Sequence, residues 1–330
     1  MEPQQNIAVH DGRALKIAGA AFVFCAVATA AFTVSYTTAA SLSHGPAAQV
    51  ATAAGAATTT AEMAEPRSFA SISLIAKSAI VYDVTTGRVL YALSPDTQLP
   101  LASITKVAMA LTVSEALRPD DVISIPYDTA PTIDAPSLHT DERWRMSDLL
   151  DFTLTASSND GADILAAAAD ANLRRVYPEA PAGSAALWRM NDLAKQLGLR
   201  NTFFLNVNGL DMSTTQSGAY GSARDIAALL TYAASTSPDI FSATTHSSVT
   251  VRAVTGETVT ATNTNEALPH IPGLVMGKTG YTDLAGGNLA VVFDTRGHRI
   301  VAVVLGSTFD GRFTDMQQLV TASTQAFGAR

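Results

Sequence analysis

Ser103 and Lys106 stand three residues apart at the head of an apolar run, 107–117, just behind Pro100. Residues three apart share a helix face, and proline suits a helix start. The run therefore predicts a helix that brings the hydroxyl and the amine together. A serine hydroxyl is a poor nucleophile until a base removes its proton. A lysine amine is such a base only when burial, a nearby cation or a helix N-terminus lowers its pKa towards neutrality. The same N-terminus offers free N–H groups to a developing oxyanion. The plain alternative is a helix cap followed by a solvated lysine.

Two more polar clusters follow. Ser157-Ser158-Asn159 falls in a break between the apolar stretches 146–156 and 161–171. Ser, Asn and Asp are what caps and turns use, and Asp160 before Gly161 suits such a cap. The chemical reading is a hydroxyl (Ser157) that passes protons and an amide (Asn159) that binds a peptide group. Lys278-Thr279-Gly280 lies in the expected strand 275–281, preceded by Gly277 and followed by Tyr281. A lysine there is either an edge-strand charge that discourages sheet-to-sheet pairing or a cation facing a substrate carboxylate beside the Thr279 hydroxyl. The flanking glycines would let a ligand backbone lie close to the strand.

These clusters need a scaffold, and the chain has one. Of its 330 residues 47% are hydrophobic and 15% charged, enough for a substantial core. The net charge of -8 argues against a nucleic-acid partner. Cys25 is the one cysteine, so no intramolecular disulfide is available. The six histidines, His10, His44, His139, His246, His270 and His298, show no ligand spacing. Neither a metal nor a cofactor is expected.

Residues 1–16 are polar and carry Arg13 and Lys16; 17–40 are uncharged and long enough to span a bilayer. Positive charge on the N-terminal side predicts a cytoplasmic tail, 1–16, and a transmembrane signal-anchor, 17–40, with the rest exported. A cleaved signal peptide, and hence a secreted protein, is the alternative. The Ala/Thr-rich stretch 41–67 reads as a flexible tether, and 68–330 as the folded domain. In that domain a hairpin of strands 78–82 and 88–92 is followed by helices at 107–117, 146–156, 161–171, 188–197 and 222–234. A loop is expected at 172–186. A surface hairpin at 248–260, strands at 275–281, 288–293 and 300–306, and a closing helix at 313–327 complete the chain. The fold class expected is α/β of the α+β kind: one antiparallel sheet joining early and late strands, flanked by helices, with an all-helical subregion.

Ser-x-x-Lys, Ser-x-Asn and Lys-Thr-Gly in this order resemble the three motifs of the penicillin-binding protein and serine β-lactamase superfamily. More of the chain is similar to one branch, the serine D-Ala-D-Ala carboxypeptidases of the low-molecular-mass penicillin-binding proteins, peptidase family S11. The similar stretches are DVTTGRVLY (83–91), LASITK (101–106), SSNDGADILA (157–166), MNDLAKQLGLRNTFFLNVNGL (190–210), SARDIAALL (222–230) and GKTGYTDLAGGNLAV (277–291), with Arg312 beyond them. The resemblance covers about residues 70–328.

The resemblance implies a β-lactamase/transpeptidase-like fold. Ser103 would be the acylated nucleophile and Lys106 its general base. Ser157 would help move the proton to the leaving D-alanine, and Asn159 would hold the substrate amide. Lys278 and Thr279 would bind the terminal carboxylate, and Lys278 would help keep Lys106 neutral. The Ser103 and Tyr281 N–H groups would form the oxyanion hole. The implied partners are peptidoglycan stem peptides ending in D-Ala-D-Ala, with β-lactams as inhibitors. Two departures stand out: Asn206-Val207-Asn208-Gly209-Leu210 where the branch usually has Asn-Pro-His-Gly-Leu, and Gly161 where alanine is usual. A D,D-endopeptidase would use the same site. A β-lactamase would need a carboxylate to activate water, for which Glu179 is the candidate. An inactive wall-binding homologue is the remaining alternative.

Overall fold

A computed structural model describes residues 66–126, 138–139 and 141–328. The expected tail, the anchor at 17–40 and nearly all of the tether lie outside these. Among the described residues no helix is long and apolar enough to cross a membrane.

The folded region opens with a hairpin of β1 (Ser78–Asp83) and β2 (Arg88–Leu93). Asp83 builds its turn. The carboxylate is buried and accepts from Thr85 N, Thr86 N and Thr86 Oγ1, and Gly87 closes the turn at φ +73°, a conformation glycine adopts freely. Next come β3 (Leu99–Pro100), a 3₁₀ turn (Ala102–Thr105) and α1 (Lys106–Ala116). A small ribbon, β4 (Val122–Ser124) with β5 (Arg143–Arg145), leads to α2 (Met146–Thr155), α3 (Asn159–Val176) and α4 (Ala185–Gln196). Then follow β6 (Phe203–Phe204), β7 (Ala219–Gly221), α5 (Ala223–Thr236) and the hairpin β8 (Ser248–Arg252) with β9 (Thr258–Thr262). The last elements are β10 (Leu274–Thr282), β11 (Gly286–Thr295), β12 (His298–Ser307) and α6 (Gly311–Ala326).

The early hairpin does join the late strands. One antiparallel sheet runs in the order β10-β11-β12-β1-β2, with β1 against β12 in the register Ile80↔Val303. Alternate residues of a strand face opposite sides. In β12, Val301, Val303 and Leu305 enter the larger core, which contains Ile226, Leu229 and Leu230 of α5. Ile300, Ala302 and Val304 enter a second core with Phe313, Met316 and Leu319 of α6. Burial on both faces explains why this strand reads as a continuous apolar run. Helix α1 is buried all round, from Val107 to Val113, as a helix without a polar face must be. It lies against α3, α4 and α5 and forms the axis of the helical region.

Three local expectations are corrected. Pro100 does not start a helix: Leu99–Pro100 pairs with β7, and the helix begins after the 3₁₀ turn. The cap of α3 is Ser158, not Asp160, because Ser158 Oγ accepts from Gly161 N at 3.0 Å. The expected loop at 172–186 shrinks to the span between Val176 and Ala185, since Leu173 buries against the core and extends α3.

Candidate active site

The 3₁₀ turn carries Ser103, and α1 begins one turn later with Lys106, so the three-residue spacing closes as local geometry requires. Lys106 is 0% exposed. Its Nζ lies 2.9 Å from Ser103 Oγ, 2.8 Å from Asn159 Oδ1 and 2.8 Å from Asn208 O. Burial brings its pKa down to about 7, against the opposing pull of the Asp163 carboxylate. A neutral amine has two N–H bonds and one lone pair. Two of its three neighbours are carbonyl oxygens, which can only accept. Both N–H bonds go to them, and the lone pair is left facing the Ser103 hydroxyl.

Several elements hold the nucleophile in place. Ala102 sits at φ +48°, a region non-glycine residues rarely occupy and one often found at functional sites. Behind it, buried Asn288 on β11 donates through Nδ2 to Pro100 O and Leu101 O, both at 3.0 Å, while its Oδ1 accepts from Gly306 N at 2.8 Å. Strand β10 passes so near that a Cβ on Gly280 would stand 2.9 Å from Leu101 O and 3.1 Å from Ser103 N. Only glycine permits that approach.

β10 is an edge strand. Gly277 N donates off its free edge to Thr244 Oγ1 at 3.1 Å. Backbone groups alternate sides along a strand, and pairing with β11 is regular from Met276 to Thr282. Thr279 and Tyr281 therefore present their N–H and C=O groups to the same free edge as Gly277. The Tyr281 side chain is half exposed and meets Phe309 edge-on at 5.0 Å.

Lys278 closes the arrangement. Its buried Nζ donates to Ser157 Oγ at 2.7 Å and to Thr279 O at 2.9 Å. Burial, then repulsion from Lys106, then repulsion from Arg312 hold its pKa well below that of an ordinary lysine. Burial is the largest cause at both amines, and repulsion between them adds to it. Ser157 stands at φ +60°, turned there by the sharp link between α2 and α3. Ser103, Lys106, Ser157, Asn159, Lys278, Thr279 and Gly280 are brought together, joined by hydrogen bonds or close backbone approach.

Four residues beyond the motifs complete the setting. Asn288 is a lone amide in an apolar strand, and that incongruity was its sequence signal. Arg312 donates to Gly280 O at 3.1 Å and stacks on Phe309 and Phe313. Asn208 lends its carbonyl to Lys106, and Asp163 holds Asn208. No spacing rule pointed to these last two. Gly161 also matters more than its exchange for alanine suggests, because a Cβ there would fall 2.1 Å from Thr153 Oγ1. A separate hollow of about 480 Å³, lined by Leu117, Val122, Ile164 and Asn172 among others, contains none of the motif residues.

Comparison with known proteins bears on the chain as a whole. The profile of the D-alanyl-D-alanine carboxypeptidase family, peptidase S11, matches residues 60–308. The D-alanyl-D-alanine carboxypeptidase DacF of Bacillus subtilis is 31% identical over 71% of this chain, which spans 58% of that relative's length. The D-alanyl-D-alanine endopeptidase of Escherichia coli is 28% identical over 82% of this chain and 80% of its own. Penicillin-binding protein D2 of Listeria monocytogenes, solved in a cefotaxime-bound form, superposes with a TM-score of 0.64 at 30% identity, over 76% of this chain and 98% of that one. With a family profile matched across most of its length, the chain belongs to the D-alanyl-D-alanine carboxypeptidase family, peptidase S11.

Proposed function

We propose that this protein is a serine D-Ala-D-Ala carboxypeptidase that removes the terminal D-alanine of peptidoglycan stem peptides and is inhibited by β-lactams. The observation that carries the reading is the buried amine of Lys106, 2.8 Å from two carbonyl oxygens and 2.9 Å from Ser103 Oγ, a setting in which the neutral amine has its lone pair left for the serine proton. The substrate carboxylate binds Lys278 and Thr279. Its negative charge favours a proton on Lys278, and repulsion between the two buried amines then favours a neutral Lys106. Ser103 Oγ attacks the penultimate D-alanine carbonyl, its proton passes to Lys106, and the N–H groups of Ser103 and Tyr281 receive the oxyanion. Asn159 Oδ1 is engaged by Lys106, which leaves its Nδ2 to bind the substrate amide. Ser157, hydrogen-bonded to Lys278, delivers a proton to the leaving amine. Water then releases the acyl group.

A D,D-endopeptidase reading has support of its own in the alignment along 80% of the Escherichia coli endopeptidase. A β-lactamase reading does not gain support. Glu179 is exposed beyond the C-terminal end of α3, whose 18 residues put about 27 Å of helix between Asn159 and Val176.

For location, the same reading includes a membrane anchor at 17–40 with 1–16 in the cytoplasm and the catalytic domain outside, or a secreted protein if that segment is cleaved. Membrane fractionation and the N-terminal mass of the purified protein decide between these. Digestion of purified muropeptides tests the activity. Loss of one D-alanine per stem supports the carboxypeptidase; conversion of dimers to monomers supports the endopeptidase. Neither product, together with no penicilloyl adduct on Ser103 by mass spectrometry, refutes both.

A further inference from the structure

Asn159 and Asp163 lie four residues apart on α3 and so share a face. Asn159 touches Lys106 directly; Asp163 reaches the same amine through one intermediary. Both carboxylate oxygens of Asp163 accept from Asn208 Nδ2, at 3.1 and 3.0 Å. Asn208 Oδ1 accepts from Leu210 N at 2.9 Å, and its backbone O accepts from Lys106 Nζ at 2.8 Å. Asn208 is buried, and both ends of its amide are engaged. The next residue, Gly209, sits at φ +87° so close to the nucleophile turn that a Cβ would fall 2.0 Å from Ala102 O. The loop cannot advance towards Ser103, and Asp163 keeps it from retreating.

We propose that Asp163 is a positioning residue of the acyl-transfer site. It clamps Asn208 so that the Asn208 carbonyl fixes Lys106 Nζ against Ser103, and its carboxylate is the counter-charge for the ammonium formed during attack. The inference rests on the reading of Ser103 as nucleophile and Lys106 as base. In that step the Ser103 O–H bond breaks and the proton bonds to the Lys106 lone pair. The serine oxygen bonds to the acyl carbon, and the carbonyl electron pair moves to the oxyanion. One positive charge appears on a fully buried nitrogen. Asn159 Oδ1 and Asn208 O offer only dipoles to it. Lys278, on β10, repels it, and Arg312 in turn bears on Lys278. Asp163 is the carboxylate that favours the ammonium, with Asp160 as its own acidic neighbour.

The test measures the rate of acylation of the full chain by fluorescent penicillin from pH 5.5 to 9, for the parent, Asp163→Asn and Asp163→Ala. Asparagine keeps an acceptor for Asn208 Nδ2 but removes the charge. Loss of the carboxylate lowers the Lys106 pKa further, so the acid limb of the Asp163→Asn profile moves to lower pH. Its plateau falls too, because a weaker base drives proton transfer less. Asp163→Ala also frees the loop, and its plateau falls about tenfold or more below that of Asp163→Asn. Thermal melts check folding; should the alanine variant fail to fold, the limb of Asp163→Asn decides alone. An Asp163→Asn limb that coincides with the parent's overturns the proposal, as does a folded Asp163→Ala that acylates at the parent rate. A parent that forms no adduct removes the underlying reading, and this inference with it.

Discussion

The base at this site should be visible as a titration near neutrality, far from where a free lysine titrates. With Lys106 at about 7, the neutral fraction, 1/(1 + 10^(pKa − pH)), is about 0.1 at pH 6, about 0.5 at pH 7 and about 0.9 at pH 8. If proton abstraction limits acylation, the rate constant for β-lactam labelling rises about tenfold between pH 6 and pH 8 and then levels. Stopped-flow labelling under single-turnover conditions reads this step without deacylation. Lys106→Met removes both the limb and about 10²–10⁴-fold of the rate. Stability gives a second reading of the same group. The folded-state pKa of about 7 lies below the ordinary 10.5. Between those values the unfolded chain holds more protons, so unfolding free energy rises with pH across that window. Urea melts of the parent, compared with Lys106→Met to cancel other groups, should show that extra rise from pH 7 towards pH 10. A labelling rate that is flat from pH 6 to pH 9, or that climbs only above pH 9, would refute the buried-base argument.

Ser103→Ala should abolish covalent labelling with an unchanged melt; surviving adduct would place the nucleophile elsewhere. Asn288→Ala takes a buried partner from Pro100 O and Gly306 N and leaves Leu101 O with Ile104 N alone, a loss of about 2–3 kcal/mol in a urea melt. Acylation should slow as the residues before Ser103 relax, and a stability change under about 0.5 kcal/mol would contradict the bracing role. Gly161→Ala drives a methyl onto Thr153 Oγ1 and should cost about 1–3 kcal/mol. Adding Thr153→Ala should recover most of that, and strict additivity of the two changes would show that the clash is relieved some other way.

Much of this structure was written in local chemistry. The residues Asp83 to Gly87 specify a turn by themselves, because an aspartate can satisfy its own next backbone groups. The β-branched apolar runs at 290–293 and 300–305 read as strands, and the sheet buries them on both faces. The three motifs were legible because each is a short sequence whose side chains project together. What stayed hidden depends on distant parts of the chain meeting. Pro100 reads as a helix start until β7, over a hundred residues later, pairs with it. Asp160 looks like the better cap until the fold turns Ser157 to φ +60° and sets Ser158 at the helix mouth. Asn208 and Asp163 lie 45 residues apart, and nothing in either neighbourhood announces that they share one amine.

The site collects features that cost stability. Ala102 and Ser157 occupy left-handed backbone, and Lys106, Lys278 and Arg312 are charged residue types almost wholly removed from water. Strain of this kind persists only where the surroundings leave no alternative. Here the surroundings are a sheet whose central strands are sealed on both faces and a helix, α1, sealed all round. Neither can shift to relax the nucleophile turn without opening a core. The amide of Asn288 transmits that rigidity: its donors hold the two residues before Ala102, and its acceptor holds Gly306 on the neighbouring strand. A polar side chain thus couples the stiffest part of the molecule to the most strained. On this argument the chemistry depends on the sheet as directly as on the motifs. Substitutions in β11 that loosen Asn288 should lower acylation before they unfold the protein.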